Sequence, residues 1–239
     1  SDAVTAAAPA VLAVRQLRLT DFRNYPQLRL ECGPEPVVLV GSNGAGKTNL
    51  LEALSFLAPG RGLRRARLEE ICRRSREEGS PAASWAVAAS LDTPDGKLAI
   101  GTGVEPSRTE GGPLRRVVRI DGRTAPSQTA LSRHVAAVWL TPQLDRLFLD
   151  GPGERRRFLD RLVPALRPEH AGDVAAYDNA LRQRARLLAQ RDRSASRDPH
   201  WFTALEDTMG RHGVALAAAR AATVHRLDAA PRLGGGAFP

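Results

Sequence analysis

Lysine is almost missing from this chain. Of its 35 basic residues only Lys47 and Lys97 are lysine, and the rest are arginine. Cysteine is equally sparse: Cys32 and Cys72 are the whole complement. That excludes a disulfide framework and leads us to expect two ordinary thiols in a reducing, cytoplasmic compartment. No Cys/His spacing suited to a metal site occurs, and no Gly-x-Ser-x-Gly string of a hydrolase. The guanine-reading Asn-Lys-x-Asp string is absent, as is a Ser-x-Gly-Gln signature of ATP-sandwich enzymes. No apolar run is long enough to span a bilayer, so no membrane partner is expected. The Ala-rich residues 1–14 carry no basic stretch of the kind that opens a signal peptide.

The scarce lysine sits in an informative place. Gly41-Ser42-Asn43-Gly44-Ala45-Gly46-Lys47-Thr48 has Walker A spacing. It follows the apolar run Val37-Val38-Leu39-Val40, read as a strand buried on both faces, and opens onto a helical stretch at 49–58. Glycines let such a loop turn its N–H groups onto phosphate oxygens, and the helix behind adds its positive end. Lys47 offers a compact charge to the β- and γ-phosphates, and the Thr48 hydroxyl a ligand to Mg²⁺. A planar guanidinium would not serve at position 47, which explains a lysine in an arginine-rich chain.

The 239 residues, 42% of them apolar, suffice for one or two soluble domains. A net charge of +9 favours acidic partners, nucleic acid first and anionic membrane second. Residues 14–20 and 28–32 alternate as half-buried strands around a turn at 21–26. Helix residues Leu50, Leu51, Leu54 and Leu57 share a face, and Pro59-Gly60 ends the helix. Residues 61–76 carry Arg61, Arg64, Arg65, Arg67, Arg73, Arg74 and Arg76, with a short helix near Glu69, Glu70 and Ile71. The segment is either a solvated helix with internal ion pairs or a patch for DNA or nucleotide phosphates, and arginine outnumbers carboxylate.

Residues 85–91, 97–102 and 116–120 read as strands joined by turns at 92–96 and 121–122, with a polar loop at 104–113. That is an antiparallel sheet, where a small-molecule kinase would alternate strands with helices. The run Val135-Ala136-Ala137-Val138-Trp139-Leu140 reads as another central strand, followed by a loop at 141–143. Gln143 could reach Mg²⁺ or its water from there, although a surface glutamine is the commoner role of an amide. Pro152 suits the first turn of a helix, and Val174, Tyr177, Leu181 and Leu188, then Phe202, Leu205, Met209, Leu216, Thr223 and Leu227, recur at helical spacing. With a break at 194–199 they predict an antiparallel helical hairpin. The expected division is a head at 1–150 and an incomplete helical lobe at 151–239. The strand-end carboxylate of a P-loop ATPase has no convincing counterpart: Leu147-Phe148-Leu149-Asp150 comes nearest, interrupted by Arg146.

Three stretches carry a resemblance: Leu19-Thr20-Asp21-Phe22-Arg23-Asn24-Tyr25, the loop and helix from Gly41 to Leu54, and Leu140-Thr141-Pro142 through Gly151-Pro152-Gly153-Glu154-Arg155-Arg156-Arg157-Phe158-Leu159-Asp160. They are similar to the RecF family of bacterial recombination and replication-repair ATPases, and Leu181-Arg182-Gln183-Arg184 resembles the start of that family's helical lobe. The resemblance implies an α/β P-loop head of the SMC/ABC type, with an antiparallel β subdomain and a helical lobe. It implies weak ATP hydrolysis, an ATP-gated homodimer, binding to gapped or single-stranded DNA, recombination mediator partners, and a place in DNA damage repair and the SOS response. It brings Arg23 and Asn24 towards the nucleotide, and puts Arg64 where related heads carry an arginine, here after Gly62-Leu63 in place of Ser-Phe. The family's signature motif and Walker B strand are expected beyond Pro239, so the chain is expected to resemble an amino-terminal portion that turns ATP over poorly. The competing reading is a P-loop enzyme transferring phosphate to a small molecule.

Overall fold

A computed structural model describes residues 12–74, 82, 84–105, 114–142, 144, 147, 149, 151–189 and 199–230. The chain forms two compact units, Ser1–Leu131 and Ser132–Pro239.

The first unit is built on a six-stranded antiparallel sheet of order β2-β1-β3-β4-β5-β6. Strands β1 (Ala13–Phe22), β2 (Tyr25–Glu31), β3 (Ala86–Thr93), β4 (Gly96–Glu105), β5 (Arg115–Ile120) and β6 (Arg123–Thr124) are all joined to a neighbour in antiparallel register. Alternation decides which side chains go inward. Leu17 stands beside Ala89, which stands beside Ile100; Leu19 stands beside Val87, which stands beside Thr102. All six are buried, while Arg18 between the two leucines is exposed. The turn between β1 and β2 is tighter than the sequence indicates: only Arg23 and Asn24 lie between the strands, Arg23 at φ 56°.

Helix α1 (Lys47–Ser55) follows the glycine-rich loop. Phe56, just past its end, meets Phe22 at 6.1 Å and Trp85 at 5.1 Å between ring centroids, and Phe22 meets Trp85 at 5.5 Å. The three rings are essentially inaccessible and form the centre of the core. Such edge-on and tilted pairs add about 0.5–1.5 kcal/mol each beyond the area they bury. The buried side of α1 follows the expected leucine face in part: Leu57, just past the helix, is buried, and Leu50 and Leu54 are partly so. Glu52, Ala53 and Ser55 face inward, whereas Leu51 is half exposed. Glu52 is held there by ion pairs with Arg23 and Arg64, and Phe56 and Leu57 add the apolar anchor.

Arg116 fastens the far end of this arrangement. Its Nη2 donates to Phe56 O at 2.6 Å, its Nη1 to Gly60 O and Gln128 Oε1, its Nε to Thr102 Oγ1, and its guanidinium lies 5.1 Å from the Phe56 ring centre. Burial pushes its pKa down to about 10. A cation on the carbonyls at a helix C-terminus also complements the helix dipole.

Two expectations are corrected. Residues 37–40 form no strand, and Val38 and Val40 are 80% and 89% exposed. Residues 135–140 likewise form no strand, and Leu140 is 81% exposed. A buried central strand needs paired edges and covered faces. Among the described residues neither run has them: neither pairs with any of the six strands.

In the second unit, α3 (Pro152–Leu162) starts with its proline in the first turn, as read from sequence. Helices α4 (His170–Ala189) and α5 (Pro199–Ala229) are antiparallel: Asp173 pairs with His212, and Arg184 with Glu206. Tyr177 on α4 packs against Gly213 on α5, and Ala180, Leu216, Ala219 and Thr223 are buried. Leu181 and Leu188 are exposed instead. Asp160 of α3 joins the hairpin, accepting from Arg220 at 2.7 and 2.9 Å and pairing with buried His170 at 2.9 Å.

Candidate nucleotide site

The phosphate loop is formed as its spacing requires. Gly46 adopts φ 102° and serves as N-cap of α1, with no side chain capping the helix start. The N–H groups at the head of α1 therefore lack side-chain acceptors and point where an anion would bind. Lys47 Nζ donates to Gly41 O at 2.6 Å and Ser42 O at 2.8 Å, so its ammonium is folded back over the loop. Gly41, Ser42, Asn43, Gly44, Ala45 and Thr48 are exposed, leaving the loop open to a polyanion. These features fit ATP. The exposed Thr48 hydroxyl could ligate Mg²⁺, but no cluster of three His, Cys, Asp or Glu groups accompanies it among the described residues. Gln143, Asp150 and Arg76 lie outside the described residues.

The β1–β2 turn lies against this loop. Tyr25 and Asn24 pack where a side chain at position 46 would stand. Asn24 Oδ1 accepts from Asn49 Nδ2 at 2.7 Å. Arg23, which the family resemblance brings towards the nucleotide, pairs with α1 in this structure. Its Nε and Nη2 donate to Glu52 Oε2 and Oε1 at 2.9 and 2.6 Å, and its Nη1 to Glu70 O. Its backbone N–H bonds Ile71 O, and Arg73 N–H bonds Asp21 O. These bonds bind the arginine-rich segment to the hairpin.

Arg64 and Arg73 of that segment meet carboxylates. Arg64 donates to Asn49 Oδ1 and Glu52 Oε2, and Arg73 pairs with Asp21 at 2.8 Å. Arg61, Arg65, Arg67 and Arg74 are exposed. Helix α2 (Leu68–Ile71) interrupts the run, and its Leu68 carbonyl accepts from the indole of Trp85 at 3.1 Å. Sequence reasoning missed Glu52. The available signal was the one acid of α1, Glu52, set between Leu51 and Ala53.

The antiparallel sheet, the glycine-rich loop and the helix behind it define a P-loop nucleotide-binding head. The chain belongs to the RecF/RecN/SMC N-terminal domain family, whose model matches residues 13–143. It is 48% identical over 221 residues to the DNA replication and repair protein RecF of Mesorhizobium japonicum, covering 92% of this chain and 55% of that one. It is 49% identical to the RecF of Caulobacter vibrioides, covering 92% and 56%. The chain thus spans about half the length of the curated relatives it matches. Among solved structures, RecF–ATP of the RecFOR pathway superposes with TM-score 0.75 at 20% identity, covering 93% of this chain and 56% of that one. The RecF-ATPrS structure of the same pathway gives TM-score 0.73 at 20% identity, covering 90% of this chain and 55% of that one. These likenesses establish the fold. No described helix is long and apolar enough to cross a membrane.

Proposed function

We propose that this chain is an ATP-responsive, DNA-binding head acting in DNA replication and repair. One observation carries the nucleotide part: Lys47 Nζ rests on the carbonyls of Gly41 and Ser42, directly over the helix start capped by Gly46. When triphosphate binds, Lys47 exchanges those carbonyls for phosphate oxygens. The α1 N–H groups hold the remaining charge, and Thr48 is the protein's ligand to Mg²⁺. Bound Mg²⁺ would neutralise charge on the phosphates.

DNA binding rests on the net charge of +9, the exposed Arg61, Arg65, Arg67 and Arg74, and the names of the relatives. The partner we assign is gapped or single-stranded DNA, bound by a homodimer that ATP brings together, with recombination mediators recruited to it. The chain alone turns ATP over slowly.

Calorimetry with ATP and Mg²⁺ tests the first part. Binding that Lys47→Ala abolishes supports it, and equal binding by wild type and variant refutes it. Mobility shift of gapped DNA with and without ATP tests the second. A shift that weakens steeply with salt is expected, and no affinity at low salt overturns it.

A further inference from the structure

Glu52 is fully buried, yet two guanidinium groups meet its one carboxylate. They are held unequally. Arg23 puts Nε and Nη2 on the carboxylate and Nη1 on Glu70 O, and its side chain is only 18% exposed. Arg64 reaches the same carboxylate with Nη1 alone, at 3.0 Å, sharing that group with Asn49 Oδ1 at 2.8 Å. Its side chain is 42% exposed. One carboxylate against two guanidiniums also leaves a positive charge over, beside a loop shaped for an anion.

The contacts form a continuous polar path. Asn24 packs on Gly46 and accepts from Asn49; Asn49 accepts from Arg64; Arg64 and Arg23 share Glu52; Arg23 ends on Glu70 in α2. Such a path links the last glycine of the phosphate loop to the arginine-bearing segment.

We propose that Glu52 is a positioning residue: its buried carboxylate fixes Arg23 and holds Arg64 on a light, exchangeable contact, from which the Arg64 guanidinium turns to phosphate bound at the loop. The proposal rests on the nucleotide reading above. Arg23 is then the fixed strut and Arg64 the moving part. Occupancy of the loop reaches residues 64–71 because Arg64, and Glu70 through Arg23, are tied to the same carboxylate. No bond is made or broken at Glu52 beyond these hydrogen bonds.

Binding of ATP to the full chain tests this, with the folded fraction of each variant checked by circular dichroism. Glu52→Gln adds one unit of positive charge, which by long-range attraction alone would tighten ATP binding. We expect about tenfold weaker binding instead. Glu52→Gln with Arg64→Ala should bind no more weakly than Arg64→Ala alone, since both act through one guanidinium. Unchanged or tighter binding by Glu52→Gln, or losses that multiply, would overturn the proposal. If Glu52→Gln does not fold, hydrogen exchange on the wild-type chain decides. ATP should change amide exchange at 64–71 as well as at 41–48, and a change confined to 41–48 refutes the relay. Wild type that binds ATP beside an indifferent Glu52→Gln sinks this proposal alone, while wild type that binds no ATP sinks the nucleotide reading and the proposal with it.

Discussion

Tyr25 closes over Gly46: a Cβ built on that glycine would stand 2.9 Å from the Tyr25 ring carbon bearing the hydroxyl, and closer still to the hydroxyl itself. The glycine is therefore required twice, once for its φ of 102° and once for the neighbour it leaves room for. Gly46→Ala should lose ATP binding and lower stability by about 1–3 kcal/mol. Tyr25→Ala in the same chain should restore little, because the backbone strain remains. Thermal melts and calorimetry of both variants check this; full rescue by Tyr25→Ala would show that the contact alone matters.

Arg116 ties β5 to the carbonyls that follow α1. A lysine keeps the charge but cannot present several planar donors at once. Arg116→Lys should cost about 2–3 kcal/mol, from carbonyls and Gln128 left without their donor. Urea denaturation read at the indole fluorescence of the Trp85 region would detect it. A loss below about 0.5 kcal/mol would show that ordered water replaces the guanidinium.

Asp160 makes the second unit acid-sensitive. Burial pushes its carboxyl up, but the hydrogen bonds from His170 and Arg220 outweigh that and hold it below the usual carboxylate range. A depressed folded-state pKa gives stability that is full above the unfolded value of about 3.9 and is lost as pH falls through the folded value. Stability should thus decline below about pH 4. Asp160→Asn should remove about 2–4 kcal/mol at neutral pH and flatten that acid limb. Urea titrations at pH 7 and pH 3 on both proteins give the comparison, and an acid limb of equal steepness in the variant would place the titrating group elsewhere.

The outward leucines of the helical hairpin give a prediction of opposite sign. Leu181 is 44% exposed, whereas Ala180 beside it is buried. Leu181→Ala should change stability by under about 0.5 kcal/mol. Ala180→Leu should destabilise by about 1–3 kcal/mol by forcing the helices apart. Melting temperatures separate the two.

The sheet and the loop were legible because each rests on a local pattern. Alternation at Leu17 and Leu19, the turn residues before Gly96, and Gly41 to Thr48 carry their meaning within a few residues. The misread pieces depend on distant neighbours. Val38 and Val40 have the composition of a central strand, yet composition does not reveal what lies along a strand's edges. The Glu52 cluster joins residues 12 and 29 positions away, so no window of sequence contains it. Helical spacing placed Tyr177, Leu216 and Thr223 correctly but not Leu181 and Leu188, which are exposed while the small Ala180 is buried.

Lys47 has one more property. Its ammonium lies on two carbonyl oxygens in an open loop, and the chain's other lysine, Lys97, sits apart at the start of β4. Guanidinium groups do not react with amine-directed acylating reagents at neutral pH. Side-chain acylation therefore has two targets, one of them at the heart of the nucleotide site. The protein carries its own chemical footprint of occupancy: ligand at the loop would shield Lys47, while Lys97 serves as an internal standard in the same tube.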